Sequence, residues 1–388
     1  MQIDQPAGYG TIDPADWNAL EARTGPFMDW RFLELLEKSG CVGGDSGWHP
    51  APIVLRDASG TLKAAAPGWL KQHSHGEFVF DWNWARAAQQ AGLGWYPKLL
   101  IASPFSPVPG PRLLGCNGNA ERALELAQAS EALMIKSRLS SVGVNFCSQW
   151  EQQQLVDAGW LARQDWQFHW HNRGYRDFQD YLDTLKRKPR KNIRAERRKV
   201  SEQGWSFEWK TGQELNEADI DLAYRCYLST FALYGNVPML NRAFFQGCAE
   251  AFGTDFLVCV ARRAGRNRAA TIFWRDEQRL YGRYWGALED CQDVHFEACY
   301  YQGIDYCIRH GLAAFEPGAQ GEHKIRRGFL PTATHSAHLI AHPGMRAAIA
   351  RYLVAEHQAV QQYGQQLERL NPYGEPTPAN RRSDSPHG

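Results

Sequence analysis

The chain has 388 residues, 44% hydrophobic and 22% charged, with 43 Lys and Arg against 42 Asp and Glu for a formal net charge of +1. Such a length exceeds what one core usually organises, so two domains are expected, and the balanced charge excludes both a polyanion-coating basic protein and an acidic disordered chain. The nine cysteines stand singly, without a CxxC pair; with no signal-peptide pattern in MQIDQPAGYGTIDPADW and no apolar run near the roughly 20 residues of a membrane span, a soluble cytoplasmic protein with reduced thiols is expected.

Helical patterns are expected in DWNALEARTG and in DWRFLELLEKSG, where Phe32, Leu33, Leu35 and Leu36 make one apolar face closed by Gly40. APIVLRD and TLKAAAPGWLK flank the turn Asp57-Ala58-Ser59-Gly60 and read as a hairpin, GEFVFDW as a third strand, WARAAQQAGL as a helix and YPKLLIASPF as a strand or buried extended segment. The loop PFSPVPGPRLL is stiffened by its prolines. A helix over residues 120–139, a strand SSVGVNFCS, a helix WEQQQLVDAGW and a strand QFHWHN complete a first domain, residues 1–165. The second domain, residues 166–370, opens with one helix DFQDYLDTLKRKPRKNIRAERRKVSEQG. A strand SFEWKT, a helix pair from Glu214 to Phe252, and three strands FLVCVARR, RAATIFWRD and RLYGRYWGAL follow. Then come a helix HFEACYYQGIDYCIRHG, strands AAFEPG and SAHLIA, and a helix from Gly344 to about Leu370. Residues 371–388, polar and proline-rich, are expected to be disordered. The alternation gives an α/β fold of mixed α+β type, and the hairpin followed by a helix–strand pair in each half suggests a diverged duplication.

KQHSHGEFVFDWNWA (residues 71–85), GWYPKLLIASPFSPVPGPRLL (94–114), RKPRKNIRAERRKV (187–200) and HFEACYYQGIDYCIRHGLAAFEPGAQGEHKIRRGFLPTATHSAH (295–338) resemble the FemAB-like family. The resemblance implies two GNAT-like acyltransferase domains, each a central mixed sheet flanked by helices, as in the Fem aminoacyl ligases. It implies transfer of an acyl or aminoacyl group to an amine of a peptide or cell-wall precursor. The implied donor is aminoacyl-tRNA or acyl-CoA as co-substrate, with no tightly bound cofactor, no metal, and transfer RNA as a candidate partner. One departure stands out. Acetyltransferases of this superfamily grip the coenzyme A pyrophosphate with a glycine-rich turn at a helix N-terminus. The corresponding link here, ALEDCQDVHFEACYY, has no glycine and carries Glu289, Asp290 and Asp293, which would repel phosphate, so an ordinary acetyl-CoA site is not expected.

The densest charge is the run from Lys186 to Lys199, in which Arg187, Lys191, Arg194 and Arg198 share a helical face and only Glu196 offsets the cations. Arg187, Arg190, Lys191, Arg194 and Arg198 are therefore candidates for binding phosphate or RNA. GAQGEHKIRRGF is the candidate catalytic segment: Glu322 or His323 as the base for the attacking amine, Lys324 or Arg326 as the cation for the oxyanion. In HSHGEFVFDW, a strand would place His73, His75, Glu77 and Asp81 on one face, suited to substrate more than to metal. Lys98 and Arg112 flank the proline-rich loop and are candidates for contacting a carboxylate or phosphate. In HFEACYYQGIDYC, Phe296, Tyr300 and Ile304 form a core stripe, while Glu297 and Tyr301 are expected to reach the cleft. His169, His171, His335 and His338 are expected to be hydrogen-bonded structural residues. No GxSxG or Cys–His pattern argues for a covalent nucleophile. The leading reading is an enzyme acting by direct amine attack; the rival is a degenerate GNAT protein that binds a peptidoglycan precursor or RNA without catalysis.

Overall fold

A computed structural model describes residues 1–20, 25–289, 291, 293–319 and 321–374. The first part of the chain runs β1 (Gln2–Asp4), α1 (Pro14–Ala19), α2 (Trp30–Lys38), β2 (Trp48–Pro50), β3 (Ile53–Arg56), β4 (Leu62–Ala66), β5 (Gly68–Lys71), α3 (Trp82–Gln90), β6 (Lys98–Ile101), α4 (Ala120–Lys136), β7 (Ser141–Cys147), α5 (Gln149–Asp157) and β8 (Leu161–His171). The second part runs α6 (Phe178–Asp183), α7 (Arg187–Glu202), β9 (Trp205–Thr211), α8 (Glu217–Tyr234), α9 (Arg242–Phe252), β10 (Phe256–Arg263), β11 (Arg266–Arg275) and β12 (Arg279–Ala287). Then α10 (Val294–Phe296) passes through a π turn (Glu297–Tyr301) into α11 (Gln302–His310), followed by β13 (Ala314–Glu316), a 3-10 turn (Glu322–Arg327), β14 (Leu330–Ile340) and α12 (Pro343–Arg369). Local chemistry sets the ends. Asp29 caps α2 by accepting from Arg31 N, Ser148 and Glu151 form a capping box on α5, and Gly235 closes α8 in the left-handed region.

The fold is mixed α/β, built from two halves of like plan. β1, β3 and β4 form a small sheet, and the other strands form one eleven-stranded sheet in the order β2-β5-β6-β7-β14-β8-β13-β12-β11-β10-β9. Each half contributes one parallel pair, β6 with β7 and β12 with β13, joined by a helical crossover as parallel pairing requires. The strand that follows each pair is exchanged. β8 lies antiparallel to β13, β14 lies antiparallel to β7, and β8 and β14 pair with each other from Leu330↔His169 to His338↔Leu161. Position 165/166 thus falls inside β8, the strand that carries the chain across. The largest apolar cluster also draws on both halves, with Trp48 and Trp69 from one and Phe244 and Trp274 from the other. No helix among the described residues is long and apolar enough to cross a membrane.

Three expectations need correction. GEFVFDW is not a strand, because Gly76 (φ 80°) and Phe78 (φ 61°) turn the segment out of extended geometry and leave a loop between β5 and α3. The single helix expected over DFQDYLDTLKRKPRKNIRAERRKVSEQG is two, α6 and α7, broken where Leu185 bridges to Tyr373 and Lys186 N donates to Pro372 O. That contact also docks residues 371–374 of the expected disordered tail: Tyr373 is buried and its hydroxyl donates to Gly328 O at 2.7 Å. Residues 375–388 lie outside the described residues.

Candidate active site

β12 pairs with β13 only from Arg279 to Tyr281, then continues from Gly282 on β11 alone. The two parallel strands therefore part at Gly282. A Cβ built on Gly318, just beyond β13, would lie 3.7 Å from Gly282 O, so the turn after β13 borders this opening. Gly318 (φ 100°) and Gly321 (φ 117°) give the chain the backbone it needs to fold into the 3-10 turn. A period of three then points Lys324 and Arg327 inward while Glu322, His323 and Arg326 face outward. Lys324 Nζ donates to Gly318 O at 2.6 Å, lies 6.0 Å from the centre of the Tyr300 ring, and pairs with no carboxylate among the described residues. Burial, aided by the charge of Arg283, brings its pKa down to about 7.

Arg283 sits on the parting stretch of β12. Its Nη2 donates to Phe105 O at 2.6 Å, while its buried Nε has no hydrogen-bond partner among the described residues. The sequence reading missed it, and its only signal was a lone cation after a glycine in the aromatic strand RLYGRYWG. The two residues expected as base, Glu322 and His323, point elsewhere, while Lys324, expected as the oxyanion cation, is the one turned inward. Glu322 faces solvent and accepts from Tyr363 Oη at 2.5 Å, and His323 Nε2 lies 3.0 Å from Tyr300 Oη. None of the three catalytic candidates lines the cleft of about 710 Å³ bordered by Asp29, Arg31, Pro111, His171 and Arg279.

The π turn and α7 pack on the 3-10 turn through a charged network. Arg327 binds Glu196 at 2.9 Å and Tyr301 Oη at 2.9 Å, Tyr301 donates to Glu196, and Arg197 and Gln302 hold Glu297. Glu297 and Tyr301 are thus engaged with α7 and the 3-10 turn. The basic run is less bare than its sequence implied: acids arrive from other elements, Asp183 pairing with Arg190 and Arg194 and Asp293 with Lys199, and Glu202 at the end of α7 itself pairs with Arg198. Arg187, Lys191, Arg194 and Arg198 nevertheless remain exposed together. Arg194 and Arg198 border a hollow of about 560 Å³ with Trp205, Phe207 and Glu297. In the glycine-free link, Glu289 pairs with Arg268 at 2.8 Å, and Asp290 lies outside the described residues.

Across the seam lies a pocket of about 120 Å³ between Phe78, Phe80 and Phe146, residues Arg163 to Gln167 of β8, Ala319, and Thr334 to Ser336 of β14. Beside it, Glu316 accepts from Arg279 at 2.6 Å and sits 3.9 Å from His169 Nε2. Burial pushes Glu316 up to about 6 and His169 down to about 3. The remaining candidates sit in the first half. Lys98 is buried against Glu77 at 2.8 Å and Asp81 at 2.5 Å, with Lys71 4.0 Å from Glu77. Burial pushes Glu77 up and Lys71 down, each toward its neutral form. The His75 side chain stays outside this cluster, exposed beside Trp82, while its carbonyl accepts from Lys71 Nζ at 3.3 Å. Arg112 does not reach a cleft: it is buried and donates to the carbonyls of Asn145, Pro111 and Val108. His335 and His338 are hydrogen-bonded to Gln152 and Ser336. No group of three His, Cys, Asp or Glu among the described residues is placed to hold a metal ion.

Solved structures share this architecture. FemX superposes with a TM-score of 0.55 at 9% identity, covering 90% of this chain and 100% of that one. The C-terminal domain of an assigned lysylphosphatidylglycerol synthetase from Agrobacterium fabrum gives 0.54 at 9% identity over 88% and 95%. L-PGS from Bacillus licheniformis gives 0.50 at 10% identity over 83% and 96%. At such identities the likeness is one of fold. No curated protein matches the chain by sequence. The family model for FemAB-like proteins, described as peptidoglycan biosynthesis/recognition, matches residues 9–375, and the chain belongs to that family.

Proposed function

We propose that the protein transfers an aminoacyl group from a transfer RNA to a primary amine of a cell-wall-precursor-like peptide, with Lys324 as general base. The observation that carries this reading is a buried lysine without a carboxylate partner among the described residues, set where β12 and β13 part and held near neutrality. A lysine in that state is half neutral at ordinary pH and accepts a proton. The acceptor nitrogen attacks the ester carbonyl and a C–N bond forms. Lys324 takes the nitrogen's proton, and the carbonyl electrons move onto oxygen, where the unpartnered Arg283 Nε supplies a donor. The oxyanion then collapses, the C–O bond to the ribose breaks, and Lys324 returns the proton to the leaving oxygen.

Two features support aminoacyl-tRNA over acyl-CoA as donor. The link before α10 lacks the glycines of a pyrophosphate loop, and the exposed cationic face of α7 lies on a helix that packs against both the π turn and the 3-10 turn. Family membership supports a cell-wall precursor as acceptor, and a tRNA substrate places the reaction in the cytoplasm. The rival reading, a binding protein without catalysis, draws on the same glycine-free link. The test incubates the protein with a muramyl pentapeptide precursor and either radiolabelled aminoacyl-tRNAs or acyl-CoAs. Transfer from the tRNAs alone is expected. Transfer from acyl-CoA alone overturns the donor assignment, and precursor binding without transfer from either donor overturns the enzyme.

A further inference from the structure

Lys324 is carried by a weak element. The 3-10 turn spans six residues (Glu322–Arg327), and its tight period leaves few backbone bonds of poor geometry. They are Lys324 N to Gly321 O at 3.0 Å, Gly328 N to Ile325 O at 2.9 Å and Phe329 N to Lys324 O at 3.3 Å. The carbonyls at the end of such a turn need partners from outside it. Two tyrosines supply them. Tyr181 Oη donates to Arg327 O and Tyr373 Oη donates to Gly328 O, each at 2.7 Å. The hydroxyls converge so closely that a Cβ at Gly328 would lie 2.8 Å from both.

Tyr181 belongs to α6, but Tyr373 comes from the segment after α12, and that segment is held at each of its residues. Lys186 Nζ donates to Asn371 O at 2.8 Å, Lys186 N to Pro372 O at 2.9 Å, and Gly374 N to Thr184 O at 2.9 Å. The guanidinium of Arg173 lies 3.9 Å from the centre of the Tyr373 ring, which is only 5% exposed. Residues 371–374 thus form a strap with one side on the link from α6 to α7 and the other on the end of the turn that buries Lys324. Without the strap, the buried Gly328 O would lose its partner and the turn would be free to swing Lys324 toward water.

We infer that the strap of residues 371–374 sets the position of the base, with Tyr373 as a positioning residue that keeps the 3-10 turn closed over Lys324. The inference rests on the reading of Lys324 as base, so its test reads the lysine directly and needs no turnover. Around the ammonium stand Arg283 from β12, Cys299 and Tyr300 from the π turn, His295 from α10, His169 from β8, and His323 and Arg327 from its own turn. All of these remain in a strap variant, so a change in the titration of Lys324 reports its exposure to water. Lysines labelled with ¹³C at Cε are titrated by NMR in the full-length protein, the signals of Lys324 and Lys71 being identified by their loss in Lys324→Met and Lys71→Met. The parent should show midpoints near 7 for Lys324 and near 6 for Lys71, which is buried in the first half. Tyr373→Ala, which empties the socket, should raise the Lys324 midpoint to about 8 or higher. Tyr373→Phe keeps the ring beside Arg173 but drops the bond to Gly328 O, and should raise it part of the way. Lys71 should titrate unchanged in both, which separates local release of the turn from a loosened fold. A Lys324 midpoint that stays near 7 in Tyr373→Ala, or a rise that Lys71 shares, overturns the inference; should Tyr373→Ala fail to fold, the Tyr373→Phe midpoints decide in the same way. A parental Lys324 midpoint near the ordinary 10.5 strikes base and strap together. Absence of transfer from every donor, with the Tyr373 shifts in place, strikes the transferase reading alone.

Discussion

Replacing Lys324 with Met tests the base and the burial argument together, because it should damage turnover while stabilising the fold. The ordinary lysine pKa of 10.5 falls to about 7 in the folded protein, chiefly through burial. Below pH 7 folded and unfolded chains both hold the proton, and above 10.5 neither does; between these values only the unfolded chain is protonated, so stability rises with pH across that window. The full penalty of the buried ammonium, about 5 kcal/mol by that displacement, is therefore present below pH 7. Methionine removes it but forfeits the bond to Gly318 O, leaving a net gain of about 2–4 kcal/mol, or about 3–5 °C in melting temperature for a chain of this size. Above pH 10.5 the penalty is gone and the variant should be slightly the less stable of the two. Turnover should fall by about 10²–10⁴-fold, the usual share of a general base, and the parent's rate should climb as pH passes 7. Calorimetry at pH 6 and 10.5 and a single-turnover assay read both halves. A variant that keeps parental turnover, or that melts below the parent at pH 6, refutes the reasoning.

Glu322→Gln should leave turnover unchanged, since the carboxylate faces solvent beside Tyr363; a large loss would return Glu322 to the role of base. Reversing charge at Arg187, Lys191 and Arg198 together should weaken tRNA binding and lower the salt slope by about 0.7–0.9 for each phosphate that is no longer neutralised, read by filter binding across a salt series. An unchanged slope would make that face of α7 a solvated surface. Lys98→Met leaves Glu77 and Asp81 buried without their nearest cation and should cost about 3–5 kcal/mol in urea unfolding; a loss under about 1 kcal/mol would mean the pair was never ionised.

Local pattern carried much of the fold. The apolar spacing of α2, the long run of α4 and the crossover between β12 and β13 were all readable because period and turn chemistry are written within each segment. Strand exchange was not readable. β8 and β14 look like ordinary strands, and nothing within QFHWHN or SAHLIA states which partner each will choose. The site failed in a similar way. Alternation in HSHGEFVFDW suggested a strand, but two left-handed residues bend it, so Glu77 and Asp81 turn in to Lys98 and His75 turns out. Within EHKIRR, the choice of Lys324 over Glu322 depended on a 3-10 period that the sequence does not announce. The acids that relieve α7 come from Asp183, Glu297 and Asp293, outside the helix itself, where a run-by-run count of charge does not look.

The exchange also explains why the reactive groups gather at the seam. Phe146 is the last residue but one of β7, Ala319 follows β13, and the pocket floor is β8 beside β14, so neither half can enclose that space by itself. Lys324 lies a few residues before β14, and the 3-10 turn that holds it packs on both β8 and β14. Its ammonium is therefore placed by the pairing of one half's last strand with the other's. Arg283 reaches across the same boundary, from β12 to the carbonyl of Phe105 in the proline-rich loop. Any shift of one half against the other would separate Arg283 from Phe105 and disturb the packing of the 3-10 turn on β8 and β14 at once. A continuous sheet resists such a shift through every hydrogen bond of the β8–β14 ladder, which lets a buried, uncompensated lysine persist at a junction that a flexible linker would leave open to water.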